Sequence, residues 1–232
     1  MALLASLVRT SFLQYDRGAD RYRVHELLRQ YGASKLAKEP AQEEEARDLH
    51  SRHFCGWLAS RKADLRGGRQ GAALAEIGTE LENVRSACVW AVSLGRADGI
   101  DETLSVLGMY YRSTGAIEAG EATFRTLAEE LCNAVDPPTR AEMSEQRALA
   151  RIYVWRSVFA SLMGDTARSQ QFAHRALAIL DSPILADQDS RAERALIWLT
   201  LGYDVRDTDP EEAWLRLSRS LELYQEIGDQ AG

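Results

Sequence analysis

The chain has 232 residues, of which 45% are hydrophobic and 27% charged, a composition typical of globular proteins and unlike that of disordered or collagen-like chains. The net charge of −7 is unevenly spread, because residues 1–40 carry seven basic and four acidic side chains whereas residues 181–232 carry five basic and twelve acidic ones. An acidic C-terminal part repels phosphate backbones, so direct nucleic-acid binding there is not expected. The sequence has no run of eighteen apolar residues and no signal-peptide pattern at its start, which predicts a cytoplasmic protein without membrane attachment.

The first 38 residues predict part of a winged-helix module. Residues 11–15 alternate apolar and polar side chains as a strand does, and residues 16–20 have the composition of a turn. Residues 21–31, Arg-Tyr-Arg-Val-His-Glu-Leu-Leu-Arg-Gln-Tyr, indicate a short strand followed by a helix with apolar residues every three or four positions. The order helix end, strand, turn, strand, helix is that of the second half of a winged helix.

From Ala41 onward, helical spacing of apolar residues predicts an all-helical body. A first helix over 41–63 is followed by a glycine-rich break at 66–71, and the clearest amphipathic stripe runs from Leu74 to Ala91. Further helices are predicted near residues 98–113, 117–132, 139–163, 165–181, 190–206 and 210–227, with a Val-Asp-Pro-Pro linker at 135–138.

Three cysteines, Cys55, Cys88 and Cys132, are odd in number and widely spaced, which favours reduced, buried thiols over a disulfide framework. His50, His53 and Cys55 are close enough in sequence to suggest a zinc site. On a helix, however, residue 55 points away from the face shared by residues 50 and 53, and no second ligand pair follows. We therefore predict no metal site.

The later helices form similar pairs. Tetratricopeptide repeats place a large apolar residue, a small residue, an aromatic residue and a turn at fixed intervals, because two antiparallel helices must approach closely at the small positions. Residues at such positions recur in three copies, namely Leu104, Leu107, Gly108, Tyr111, Gly115, Gly120 and Phe124; Tyr153, Ser157, Ala160, Gly164, Ser169, Ala173 and Ala176; and Leu201, Gly202, Ala213, Leu217 and Ser220. The turns at Gly115, Gly164 and Thr208 are 49 and 44 residues apart. Since the usual repeat is about 34 residues long, longer helices or an irregular linker must fill the difference.

With these motifs the chain resembles the STAND signal-transduction ATPases with an NB-ARC nucleotide switch, in the bacterial form with a helical-repeat tail. The resemblance is specific around residues 22–31 and 220–229 and looser elsewhere. It implies that Val24, His25 and Glu26 occupy the positions of the family's Met-His-Asp motif, the first and third with conservative changes. By this resemblance His25 would contact the β-phosphate of ADP in a full-length parent whose nucleotide-binding domain lies upstream of this fragment.

The predicted fold is therefore all-α, an α-α superhelix of tetratricopeptide type, with a winged-helix remnant of a β-hairpin and a helix at residues 1–38. Residues 41–134 would hold a helical linker and the first helix pairs, and residues 139–232 further repeats of a solenoid that continues beyond the fragment. Five tryptophans on separate helices are expected in the core: Trp57, Trp90, Trp155, Trp198 and Trp214.

This fold favours a non-enzymatic sensor and interaction scaffold that binds a protein or peptide on its concave side. The first helix of each pair lines that side in tetratricopeptide folds, and arginine and tyrosine are favoured interface anchors. The inner-facing candidates are Arg112, Arg151, Val158, Tyr203 and Arg206.

Two other functions fit the sequence less well. An enzyme needs a nucleophile with its base, paired carboxylates or a metal set, and none is recognisable. A phosphate-binding loop is also absent from a chain with three lysines, so ADP or ATP is expected only in the full-length parent. The alternative is a DNA-binding winged helix, since Arg9, Arg17, Arg21 and Arg23 surround the hairpin. It is disfavoured because winged helices of the resembled family pack against the nucleotide domain.

Overall fold

The computed structural model describes residues 2–18, 21–94, 100–134 and 143–229. Helices account for 79% of the structure, and the described residues also form a two-stranded antiparallel sheet. The mostly helical fold class is thus confirmed, whereas a superhelix of tetratricopeptide type stays a prediction. The chain divides into two compact units, Met1–Leu49 and His50–Gly232. The predicted linker at 135–138 lies outside the described residues.

The first unit follows the predicted order of elements. These are α1 (Ala2–Arg9), β1 (Leu13–Asp16), β2 (Arg21–Val24) and α2 (Glu26–Leu36). The strands pair antiparallel, with Leu13 opposite Val24 and Asp16 opposite Arg21. No residue of α2 is buried, and Leu27 and Tyr31 are 68% and 56% exposed. Of the apolar side chains predicted on this helix, Leu27 and Tyr31 are thus open to solvent and Leu28 is half-buried.

The second unit consists of helices that pack against one another. It begins inside α3 (Pro40–Ala59), which crosses the boundary between the units. The other helices are α4 (Lys62–Arg66), α5 (Gln70–Ser93), α6 (Ile100–Thr114), α7 (Ile117–Ala134), α8 (Met143–Leu162), α9 (Thr166–Leu180), α10 (Arg191–Val205) and α11 (Pro210–Glu226). Where the structure describes them, their bounds lie within a few residues of the predicted ones. The predicted helix over 41–63 is divided between α3 and α4.

Helices α10 and α11 pack as an antiparallel hairpin. The Ser220 hydroxyl donates to the carbonyl oxygen of Ala195 at 2.7 Å, and the Arg216 side chain donates to that of Leu201 at 3.2 Å. Leu201 and Arg216, which contact each other, both lie nearer the turn than Ala195 and Ser220 do. The two helices therefore run in opposite directions. The turn between α8 and α9 contains Gly164, whose φ of 79° favours glycine.

Small residues lie where helices approach most closely. A Cβ atom added to Gly108 of α6 would come within 2.1 Å of the Trp155 indole on α8, and one at Gly202 within 2.8 Å of a leucine on α11. Between α8 and α9, the hydroxyl oxygens of Ser157 and Ser169 are 3.3 Å apart. The predicted pattern of small residues therefore corresponds to close contacts between helices.

Of the five tryptophans, one is buried in the core of the second unit and another is exposed to solvent. Trp155 is 4% exposed and packs with Phe124 and Phe159, as predicted. Trp214 of α11 is 71% exposed, so the prediction of a core position is wrong for this residue. The buried side of α11 is set by its contact with α10, and residue 214 is one position away from buried Ala213, about 100° around the helix. Three tryptophans are half-buried: Trp57, Trp90 and Trp198.

The three cysteines differ in burial. Cys88 is buried, Cys55 is half-buried and Cys132 is exposed, all as free thiols. The prediction of a buried thiol is therefore wrong for Cys132, which lies near the C-terminal end of α7. Among the described residues, no helix has both the length and the apolar character needed to cross a membrane.

An ion pair is buried between α7 and α8. Glu121 and Arg156 are 6% and 8% exposed, and their side chains form two hydrogen bonds of 2.9 and 3.1 Å. Arg168 of α9 donates another hydrogen bond to Glu121 at 3.1 Å. The Arg156 guanidinium also lies 4.2 Å from the centre of the Phe172 ring. The Glu121 carboxylate of α7 thus accepts hydrogen bonds from side chains of α8 and α9.

Candidate functional site

A cavity of about 600 Å³ opens on the second unit. Its lining comes largely from α6, α8 and α10, which are the first helices of the pairs α6–α7, α8–α9 and α10–α11. Met109, Trp155 and Leu196 form apolar parts of the lining, and Ser113 and Arg112 form polar parts. The volume falls within the usual range of ligand pockets, and mixed apolar and polar walls are typical of them.

The two ends of the second unit complete the cavity. Leu65 and Arg66 of α4 contribute from one end, and Tyr224 and Ile227, from the end of α11 and the residue after it, contribute from the other. A nitrogen of the Arg66 guanidinium lies 2.8 Å from the carboxylate of Asp229, although 163 residues separate them in the sequence. The cavity is therefore enclosed by elements that are far apart along the chain.

Ion pairs neutralise most of the charge of the lining. Four basic and three acidic side chains line the cavity, and all but one of these seven are paired. The pairs are Lys62–Glu102 at 2.7 Å, Arg66–Asp229 at 2.8 Å and Arg151–Glu193 in direct contact. Arg112 makes no side-chain hydrogen bond or ion pair within the described part of the chain. The lining thus has one surplus positive charge, at Arg112.

A network of four charged groups fixes the helices of this wall. Arg147 and Arg151 of α8 lie between Asp101 of α6 and Glu193 of α10; Nε of Arg147 is 3.1 Å from the Asp101 carboxylate, and Arg151 donates to Glu193. Burial raises the pKa of Asp101, and the two arginines oppose this shift only in part. Since the network joins three helices, it holds the cavity wall in a defined arrangement.

Two of the predicted partner-binding residues line the cavity. Arg112 is exposed there, whereas Arg151 is only 9% exposed because it is held by Glu193. Val158 is 5% exposed in the core, since α8 is packed against α6, α7, α9 and α10. Its side chain is therefore not available to a partner in this structure, which the helical period alone could not show.

The other two predicted residues lie at the C-terminal end of α10, outside the cavity lining. Tyr203 is 53% exposed, and the Arg206 guanidinium lies 5.9 Å from the centre of its ring. Arg206 also forms an exposed ion pair with Asp207 at 3.1 Å. These two residues form a surface site separate from the cavity, so their part in binding stays a prediction.

The sequence analysis missed the residues that α4 and the end of α11 contribute to the cavity. Lys62, Arg66, Tyr224 and Asp229 carry no local pattern that marks them as site residues. In the sequence, residues 220–229 are marked only by the resemblance to STAND ATPases. Their role depends on the meeting of two distant parts of the chain, and single-sequence periodicity contains no information on that contact.

Comparison with protein-family models, curated proteins and solved structures gives no match to this chain. The resemblance to STAND ATPases therefore stays a prediction that rests on residues 22–31 and 220–229.

His25, the predicted nucleotide-switch residue, caps the N-terminus of α2. Its Nδ1 accepts a hydrogen bond from the Leu27 backbone N–H, with 3.3 Å between the nitrogens. A neutral histidine that accepts through Nδ1 carries its proton on Nε2. This exposed N–H could donate to an anion such as a phosphate, so the capping role and the role implied by the resemblance are compatible.

Beside His25, the Glu26 carboxylate accepts hydrogen bonds from Arg29 and Gln30, which lower its pKa to about 2. We expect Arg29→Gln to raise this pKa towards 4.5, because the strongest stabilising contact is lost. In the native protein the contribution of Glu26 to folding is present above pH 4.5 and is lost as the pH falls towards 2. NMR titration of the Glu26 carboxyl carbon measures the shift.

The matched control for this titration is Arg125→Gln, at an exposed arginine in the other unit. The Glu26 titration should be the same in this variant as in the native chain. An unchanged curve in Arg29→Gln would show that the contact does not set the pKa.

The residues weighed as zinc ligands are not gathered around one point. The rings of His50 and His53 pack against Phe54, with ring centres 4.7 and 4.9 Å from it. Within the described ranges, no three histidine, cysteine or acidic side chains are grouped as metal ligands would be.

Proposed function

We propose that this chain is the non-enzymatic sensor part of a STAND-type signalling ATPase or transcriptional regulator, located in the cytoplasm, and that its second unit binds a protein or peptide partner in the cavity. The observation that carries the proposal is the origin of the lining. The first helix of each of three successive pairs contributes to one cavity, with Arg112 and Arg151 in its wall. This is where the repeat pattern places a binding surface.

The chemistry of the lining favours recognition over catalysis. Its three carboxylates each form an ion pair with a basic side chain of the lining. A general acid or base needs a pKa near the working pH and a free path to the substrate. Paired charges beside apolar side chains such as Met109 and Trp155 suit a surface that holds a partner in place.

We also propose that the first unit contacts a nucleotide-binding domain upstream of it, and the exposed apolar side chains of this unit support that proposal. Phe12, Leu27 and Tyr31 are 49%, 68% and 56% exposed. A two-stranded hairpin is marginally stable at best unless it packs against other elements, and no residue of α2 is buried. Packing of these side chains against another domain, with His25 reaching its nucleotide, would supply the missing burial.

To test the cavity, peptides are selected from a random phage-displayed library for binding to the immobilised 232-residue chain. Ser113→Trp places a bulky ring at an exposed position of the lining, and Thr126→Trp places one on α7, outside the lining. We expect the first variant to weaken binding of the selected peptides at least ten-fold and the second to leave it unchanged, measured by fluorescence anisotropy. Circular dichroism checks that both variants are folded.

Two results would count against the proposal. Failure to select any peptide with micromolar or better affinity would remove the evidence for partner binding. Equal affinity of native chain and Ser113→Trp would place the binding site elsewhere, with the exposed surface at Tyr203 and Arg206 as the next candidate. In that case Tyr203→Ala should weaken binding.

A further inference from the structure

Arg112 is a cation that the described part of the chain leaves without an ion pair, in a cavity whose other charges are paired. Its guanidinium has five N–H donors in a planar fork that fits a carboxylate. On an open surface such an arginine is simply hydrated. Here it shares the cavity with Met109 and Trp155, so a ligand that covers these apolar groups also displaces water from Arg112. Uncompensated loss of that water would weaken binding, because a desolvated cation needs a partner.

Tyr224 provides a second donor in the same cavity. It is 9% exposed and lines the cavity, and its hydroxyl makes no hydrogen bond within the described residues. Burial raises the pKa of Tyr224, and the positive charge of Arg112 lowers this pKa by a smaller amount. The hydroxyl therefore stays protonated at neutral pH and lies within electrostatic range of Arg112.

The balance of charges determines which ligand group fits. The acidic side chains of the lining are occupied by Lys62, Arg66 and Arg151, so a cationic ligand would meet no free carboxylate and would be repelled by Arg112. An anionic group would neutralise the surplus charge and accept hydrogen bonds from two unsatisfied donors. The apolar lining requires that the neighbours of this group be apolar.

The geometry points to a peptide carboxylate, flanked by apolar residues, that is held by Arg112 and Tyr224. The carboxylate comes from an acidic side chain or from the C-terminus of the peptide, since the two offer the same chemistry. This inference rests on the proposed function, because it specifies the ligand of the same cavity. It adds that the two residues are determinants of specificity.

Three pools of random N-acetylated pentapeptides test the inference on the full chain. The first has free C-termini and no Asp or Glu, the second has C-terminal amides and includes Asp and Glu, and the third has C-terminal amides and neither acidic residue. Peptides retained on the immobilised chain are quantified by mass spectrometry. We expect retention of the first or second pool and not of the third, and the pool retained identifies the source of the carboxylate.

Variants connect retention to the two donors. Arg112→Ala should reduce retention about ten-fold or more, because hydrogen bonds to a charged group are lost. Tyr224→Phe keeps the ring and should reduce it about three-fold through loss of the hydroxyl. Arg125→Ala, at an exposed arginine of α7 outside the lining, should bind as the native chain does. Thermal unfolding of each variant shows whether a loss comes from misfolding.

The outcomes separate this inference from the proposed function. Equal retention of all three pools, or full retention by Arg112→Ala, would overturn the carboxylate inference and leave peptide binding intact. Retention of no pool would overturn both.

Discussion

Replacement of Gly108 by alanine is expected to destabilise the second unit by about 3 kcal/mol, near the upper end of typical overpacking costs. The added Cβ atom would lie 2.1 Å from two atoms of the Trp155 indole, far inside contact distance. Trp155 is packed against Phe124 and Phe159 and cannot move away without disturbing the core. Urea unfolding followed by circular dichroism measures the loss, provided that the m-value is unchanged.

The matched control is Gly56→Ala, a glycine-to-alanine change inside α3. A Cβ atom there meets nothing within 4 Å. Because alanine is the better helix former, this variant should be more stable than the native chain by about 0.5–1 kcal/mol. Native-like stability of Gly108→Ala would show that α6 and α8 do not approach each other as closely as described.

Replacement of Glu121 by alanine is expected to cost about 3–5 kcal/mol, because it leaves the buried Arg156 without its carboxylate. Both side chains are at least nine-tenths buried, and two hydrogen bonds join them. The double variant Glu121→Gln with Arg156→Met removes the stranded charge and should recover part of the loss. Urea unfolding of the single and double variants measures the difference.

An exposed pair provides the comparison for this effect. Arg219 and Glu222 lie 2.9 Å apart on α11, each more than half exposed. Water and salt screen such pairs, so Glu222→Ala should change stability by less than about 0.5 kcal/mol. A loss for Glu121→Ala as small as that of Glu222→Ala would show that the buried pair is far more hydrated than the structure indicates.

Features that depend on neighbours in the sequence were predicted well. The hairpin and α2 followed from alternation, turn composition and the three-to-four spacing of apolar residues, all of which act over a few residues. The helices from α5 onward followed in the same way. Gly108 and Gly202 were identified through the repeat pattern, since a missing side chain is itself the requirement for close helix packing.

Features that depend on distant parts of the chain were not predicted. Arg151 is paired with Glu193 and Val158 is buried among other helices, so both are less exposed than their helical positions suggested. Trp214 is exposed because contact with α10, and not side-chain type, decides which side of α11 is buried. The cavity is completed by α4 and by residues at and just after the end of α11, where Arg66 contacts Asp229 across 163 residues of sequence.

The bridge between Arg66 and Asp229 joins two parts of the cavity lining, α4 and the residues that follow α11. A ligand that contacted both parts, and bound only while they are joined, would stabilise the joined arrangement. The bridge would favour binding by the same free energy. Ligand binding and the Arg66–Asp229 bridge would then stabilise each other.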